Sequence, residues 1–204
     1  ILAVAGREWL TSNSSNGDWL VDAFVMVTAD NVTSVSPYWQ SPSTGKSSSS
    51  FDDVPIAACL TPIHPDEEPI TEDLRLLVTG VRTPLSSGKT EITTVQFMAS
   101  PVSLPPNPIG GGDIEWYDHF LFSRNGTDRD AAPSSISLTG YSDHEDQVRI
   151  FVGANVESTS GSYNSDYLML KYKPDDTGGA QKDNMWLGSE PVYSAGQNNR
   201  TQVS

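Results

Sequence analysis

GGGDIEWYDHFLFS, residues 110–123, passes from three glycines into a segment whose side chains alternate. Ile114, Trp116, Phe120 and Phe122 point one way, and Glu115, Tyr117, His119 and Leu121 the other. A repeat of two with an aromatic face is the signature of a β-strand. The segment lies near the middle of the chain, between other strand-like stretches, and is expected to be a central strand. It also holds the densest group of aromatic and ionisable side chains, so a catalytic site would be sought here first.

Upstream, ILAVAGREWL (residues 1–10) reads as a short strand ending at Trp9, followed by a polar turn from Thr11 to Asp18. WLVDAFVMVTA, Trp19 to Ala29, is largely apolar on both faces and predicts a central strand. From Asn31 to Asp53 the composition turns to Ser, Pro, Thr and Gly, with Tyr38-Trp39 embedded, which predicts a long surface excursion. Val54 to Leu60 is a short apolar run leading into the acidic, proline-punctuated loop Thr61 to Pro69. Leu74–Arg82 and Glu91–Ala99 form the clearest hairpin, joined by prolyl and glycyl turn residues. A proline-rich crossover, Pro101 to Gly112, feeds the opening stretch.

Downstream, RNGTDRDAAPSS (residues 124–135) reads as a polar loop and Ile136–Tyr141 as a short strand. Val148–Val156 alternates Val148, Ile150 and Val152 against Arg149 and Phe151, and Tyr167–Tyr172 sets Leu168, Leu170 and Tyr172 against Tyr167, Met169 and Lys171. Met185–Tyr193, broken by Gly188 and Pro191, reads as an edge strand. The only helical signal is one turn near Glu72. The expected class is all-β, an antiparallel β-barrel or jelly-roll-like sandwich with long loops and almost no helix, forming one domain over residues 1–204.

The formal charge of −14, from 26 acidic against 12 basic residues, opposes binding to nucleic acid and to anionic membranes. No apolar run reaches the 18 or so residues of a membrane helix, so no membrane insertion is expected. The single cysteine, Cys59, has apolar neighbours and reads as a small buried hydrophobe, with an intermolecular disulfide or a reactive thiol as alternatives. Sequons at Asn13, Asn31, Asn125 and Asn199 hint at secretion. A start at Ile1 and an abrupt stop at Ser204 read as a piece of a longer polypeptide.

No set of residues meets the demands of a known reaction. Asp113 and Glu115 share a strand face, as in β-sandwich glycosidases, but Asp118 falls out of phase with them. Asp176-Thr177-Gly178 matches the aspartic-protease tripeptide without the apolar strand that precedes it there. Gly45-Lys46-Ser47 and Gly88-Lys89-Thr90 lack the upstream glycine and following helix of a phosphate loop and read as turns. His64, His119 and His144 have acidic neighbours but no metal-binding spacing, and neither Asp143–Asp146 nor Asn125–Asp130 fits a glycine-centred calcium loop. The expectation is therefore no catalytic residue, no cofactor and no metal. Aromatics beside polar groups remain: Tyr38-Trp39, Trp116-Tyr117 and Tyr163 to Tyr167 could stack on sugar rings, although core packing or a subunit interface explains Trp116 equally well. Tyr38, Trp39, Tyr163 and Tyr167 are the candidate receptor- or glycan-binding residues, with Tyr38-Trp39 expected to be the exposed pair.

The strand WLVDAFVMVTA, the crossover PVSLPPNPIGGG and the strand IEWYDHFLF, in an acidic, helix-poor chain of this length, resemble the projecting spike domain of astrovirus capsid proteins, the avian members most of all. The resemblance implies a β-barrel core with elaborate loops, a homodimer on the virion surface, and attachment to a host-cell receptor, protein or glycan. Such capsid proteins are made in the host cytoplasm, so the sequons would stay empty. Two alternatives stand beside it: a secreted carbohydrate-binding module or lectin-like sandwich, and a β-sandwich glycosidase.

Overall fold

A computed structural model describes residues 2–9, 17–40, 51–62, 74–85, 88–98, 114–124, 126–139, 149–157, 165–173, 181–182 and 192–193. These form antiparallel strands with no helix, so the chain is all-β as its periodicities predict. In the described residues the sheets stay open and do not close into a barrel.

The first sheet has the order β1-β2-β3, from Leu2–Trp9, Gly17–Ala29 and Val32–Gln40. The middle sheet is β4-β5-β6-β7, from Phe51–Pro62, Leu74–Pro84, Glu91–Met98 and Ile114–Phe120. β8 (Phe122–Arg124) and β9 (Thr127–Arg129) make a small hairpin. The third sheet runs β10-β11-β12-β13, from Ala131–Thr139, Arg149–Glu157, Ser165–Lys173 and Gln181–Lys182; β14, Val192–Tyr193, also pairs with β12.

Two apolar clusters show how the sheets stack. Successive strand residues face opposite ways, and along β5 and β6 both faces are buried. Leu76, Val78, Val95 and Phe97 pack with Trp19, Val21 and Ala23 of the first sheet. Leu77, Ile92 and Trp116 pack with Ile150, Val152, Ala154, Leu168, Leu170 and Tyr172 of the third. The middle sheet is thus sandwiched, and its inner strands lack a wet face: Thr79, Thr93, Thr94 and Gln96 are polar but buried. Cys59 packs against the second cluster, and burial pushes its thiol up to about 11, as suits an unreactive hydrophobe.

Four expectations need correction. The excursion from Asn31 contains a strand: Asp30 and Asn31, at φ 52° and 62°, make a two-residue turn that sends β3 back along β2. Positive φ at both turn residues matches the right-handed twist of the paired strands. RNGTDRDAAPSS is likewise not a loop, since Arg124 pairs with Thr127 across Gly126 at φ 72°, and β10 begins at Ala131. The opening stretch is not a central strand: β7 ends the order of its sheet, and the pattern breaks at Leu121 into β7 and β8. Finally, Ile114 faces away from Trp116. Gln96 pairs with Trp116 and Phe97 with Ile114, so Glu115 is an extra residue in a β-bulge, and one inserted residue reverses the facing of all that precede it.

A charged clamp joins the middle and third sheets. Lys89 Nζ donates to Asp130 Oδ2 and to Glu157 Oε2, each at 2.9 Å, while the Thr90 amide donates to Asp130 Oδ1 at 2.8 Å. The Asp130 carbonyl accepts from the Glu157 amide at 2.9 Å. The hydrogen bonds that Lys89 donates to Glu157 and then to Asp130 raise its ammonium. Burial alone raises the Asp130 carboxyl, but the Thr90 amide and Lys89 outweigh it and hold it below its ordinary value. A depressed carboxyl contributes stability above the ordinary carboxylate range and loses it as pH falls through the folded value. Replacing Lys89 with methionine is therefore expected to lower the melting temperature near neutrality by on the order of 2 °C, the groups being partly open to solvent. Melts followed by circular dichroism from pH 7 to 3 should show the gap from wild type closing below about pH 4. A gap that widens in acid would contradict the clamp.

Candidate functional site

The bulge at Glu115 has a direct result for the surface. By setting Ile114 opposite Phe97, it puts Ile114 on the same side as Tyr117 and His119, the side turned toward the first sheet. Trp19, Val21 and Ala23 cover the inner strands β5 and β6 on that side, but β7 lies beyond their reach. Ile114 stays 37% exposed, Tyr117 64% and Leu121 38%. Large apolar side chains left open along a strand and the residue that follows it are the kind of surface that recognition sites use.

Within the row the polar contacts are specific. The His119 ring lies 5.1 Å from that of Tyr117, tilted by 46°. Its Nδ1 is 3.0 Å from the Thr93 hydroxyl on the neighbouring strand, where Thr93 is buried. Burial, and after it the charge of Arg82, push the imidazole below its ordinary value; Asp118 acts in the opposite sense. His119 is therefore neutral at pH 7, able to give or take a hydrogen bond without a net charge.

The opposite side of β7 is interior. Trp116, 4% exposed, stacks on Tyr172 with centroids 5.6 Å apart. The Tyr172 hydroxyl donates to Asp118 Oδ2 at 2.9 Å, and burial, then Asp118, pushes that phenol well above its ordinary value, so it remains a donor. In the adjoining row of the middle sheet, Thr79 Oγ1 donates to the Thr93 carbonyl at 3.1 Å and lies 3.2 Å from Thr94 Oγ1. Asp118, out of phase with a glycosidase pattern, thus belongs to a polar seam between two sheets. Of the glycosidase pair, Glu115 occupies the bulge and Asp113 lies outside the described residues.

The aromatic residues named from sequence are not assembled into one site. Tyr38 and Trp39 lie in β3, where Trp39 pairs with Ala23, Pro37 pairs with Phe24, and Tyr38 is the extra residue of a second bulge. Tyr167 is in β12, half-buried, and pairs with Asn155 and Tyr193. The first and third sheets pack on opposite faces of the middle one, so these positions belong to opposite outer layers. Tyr163, His64, His144 and Asp176–Gly178 lie outside the described residues. Among the described residues, no three His, Cys, Asp or Glu side chains converge as a metal site would need, and no helix is long and apolar enough to cross a membrane.

Sequence reasoning names Trp116-Tyr117 among the aromatics that could stack on a sugar but misses the row, because Tyr117 and His119 look like the wet half of an ordinary alternating strand. The displacement of Ile114 onto their side depends on a bulge that no residue type at 114–116 announces. Together the described residues form a stack of three antiparallel sheets with no helix among them, whose middle layer presents an apolar row with Tyr117 at its edge. Compared with known protein families, characterised proteins and solved structures, the chain matches none.

Proposed function

We propose that this chain is a recognition module, a surface projection domain of a non-enveloped virus capsid that pairs as a homodimer and attaches the virion to a host-cell receptor. The observation that carries the recognition part is the exposed pair Ile114 and Tyr117 on an edge strand of the buried middle sheet, continued by exposed Leu121 just past its end. Such a row rests on a rigid base, because Trp116 and Phe120 on the other side of the same strand are packed into the core region. Recognition surfaces on rigid strands hold their geometry better than surfaces on loops. The viral setting and the pairing rest on the resemblance of the strands and crossover to astrovirus spikes, and the net charge of −14 suits a soluble projection.

Replacing Tyr117 with alanine is expected to leave the melting temperature within about 2 °C of wild type, since surface substitutions change stability little. It is expected to cut attachment of the fluorescent domain to susceptible cells about tenfold, the cost of one aromatic contact residue. Flow cytometry of wild type and variant, with light scattering on each, supplies the test. Equal attachment by the two proteins would remove the row from the contact surface, and a wild type that stays monomeric at tens of micromolar would remove the spike reading.

The second reading, a carbohydrate-binding module, is favoured by one observation, the open ring of Tyr117. It expects the same variant to lose glycan binding in a protein that is secreted and glycosylated.

A further inference from the structure

The rings of Tyr117 and His119 do more than add apolar area to the β7 row. We propose that they form a subsite for a neutral pyranose, with the Tyr117 ring as the stacking platform and the His119 imidazole bonding one sugar hydroxyl. This rests on reading the row as a contact surface, and it names the chemistry of what the surface touches.

Three observations carry it. Tyr117, 64% exposed, is the one aromatic among the exposed large hydrophobics of the described residues. A flat apolar ring with a polar rim suits a sugar, whose C–H face packs on the ring while its hydroxyls need partners. The platform is also held in place: His119 braces Tyr117 at 5.1 Å and is itself held by the Thr93 hydroxyl at 3.0 Å on Nδ1, which leaves Nε2 to face a ligand. Little rotamer freedom is then lost on binding.

The surrounding charge selects a neutral ligand. The chain carries −14 overall, which opposes an anionic sugar. Arg82, the cation that acts on His119, has its guanidinium carbon 3.6 Å over the Phe51 ring. Asp118, which also acts on His119, lies on the other side of β7 and receives the Tyr172 hydroxyl. Strand addition to the edge of β7 fits less well. The bulge at Glu115 and the inward-pointing carboxylate of Asp118 are both devices that discourage edge pairing.

Saturation-transfer NMR on the whole chain tests the proposal, using galactose-, glucose- and N-acetylglucosamine-terminated glycans beside sialylated ones. The expected result is transfer from neutral glycans, with affinity about tenfold weaker in Tyr117→Ala, kept within about threefold in Tyr117→Phe, and weakened in His119→Ala. The proposal fails if no neutral glycan binds at millimolar concentration, if only sialylated glycans bind, or if Tyr117→Ala binds as well as wild type. Cell attachment separates this from the wider reading. Attachment that needs Tyr117 without any glycan binding would overturn the sugar subsite and keep the contact surface. Glycan binding through Tyr117 by a protein that attaches to no cell would support the subsite and sink the attachment role.

Discussion

Replacing Gly80 with alanine is expected to destabilise the protein by about 3 kcal/mol or more, the upper end for overpacking a core. Gly80 lies in β5 at the centre of the middle sheet, paired with Pro55 on one side and Thr93 on the other. A Cβ there would overlap the Val54 carbonyl oxygen, come within 2.6 Å of Trp19 Cζ2 and within 2.8 Å of Pro55 Cα. Two of these neighbours are backbone of β4, fixed by pairing on both sides of the bulge between Pro55 and Ala57. The third is the edge of an indole that is 2% exposed. None can retreat alone, so relief requires parting the first sheet from the middle one. Gly6→Ala is the control, because a Cβ at Gly6 in β1 meets nothing within 4 Å. Urea unfolding of the two variants measures the contrast. A loss below about 1 kcal/mol at Gly80 would mean that Trp19 is not seated over β5 as described.

The same packing explains which parts of the fold were legible in the sequence. WLVDAFVMVTA reads as a central strand because its apolar residues occupy both faces, and β2 is the inner strand of its sheet, with Trp19, Val21 and Ala23 buried and Leu20, Asp22 and Phe24 only half-buried on the outer face. The hairpin of Leu74 and Glu91 reads correctly for the same reason, and so do the alternations of β11 and β12, whose inward sets Ile150, Val152 and Leu168, Leu170, Tyr172 are the buried ones. β3 was hidden because its described side chains are exposed, Val32 and Val35 at 68% and 54%, so no buried face among them shaped its composition. The turn that makes it a strand, Asp30-Asn31, carries the signal that composition lacks. Arg124-Asn125-Gly126-Thr127 carried a stronger one, since Asn-Gly is the favoured pair of two-residue hairpins, and its polar neighbours masked it. At the candidate site the alternation of the opening stretch contains half the geometry. Tyr117 and His119 do face outward, but Ile114 joins them only because Glu115 bulges, and Asp118 points inward because Tyr172, 54 residues away, waits to donate to it. Register slips and distant partners are tertiary facts, and local periodicity does not contain them.

Trp116 and Tyr117 are neighbours in sequence on opposite sides of one strand, so their alanine variants should fail in opposite ways. Trp116→Ala is expected to destabilise the protein by about 4 kcal/mol, within the range for deleting a buried aromatic. The indole is 4% exposed, belongs to the cluster that joins the middle and third sheets, and stacks on Tyr172 at an interplanar angle of 27°. Its removal leaves a cavity beside the bond from Tyr172 to Asp118 and deprives the phenol ring of its stacking partner. No described protein group hydrogen-bonds the indole Nε1, so Trp116→Phe keeps the stacked ring at little polar cost and should lose about half as much or less. Urea unfolding gives these differences directly. Attachment measured well below the melting temperature should then barely change in Trp116→Phe, while Tyr117→Ala, as stable as wild type, should lose it. If instead the stability loss followed Tyr117 and Trp116→Ala were tolerated, the two sides of β7 would be exchanged, and neither the core nor the contact row could be as described.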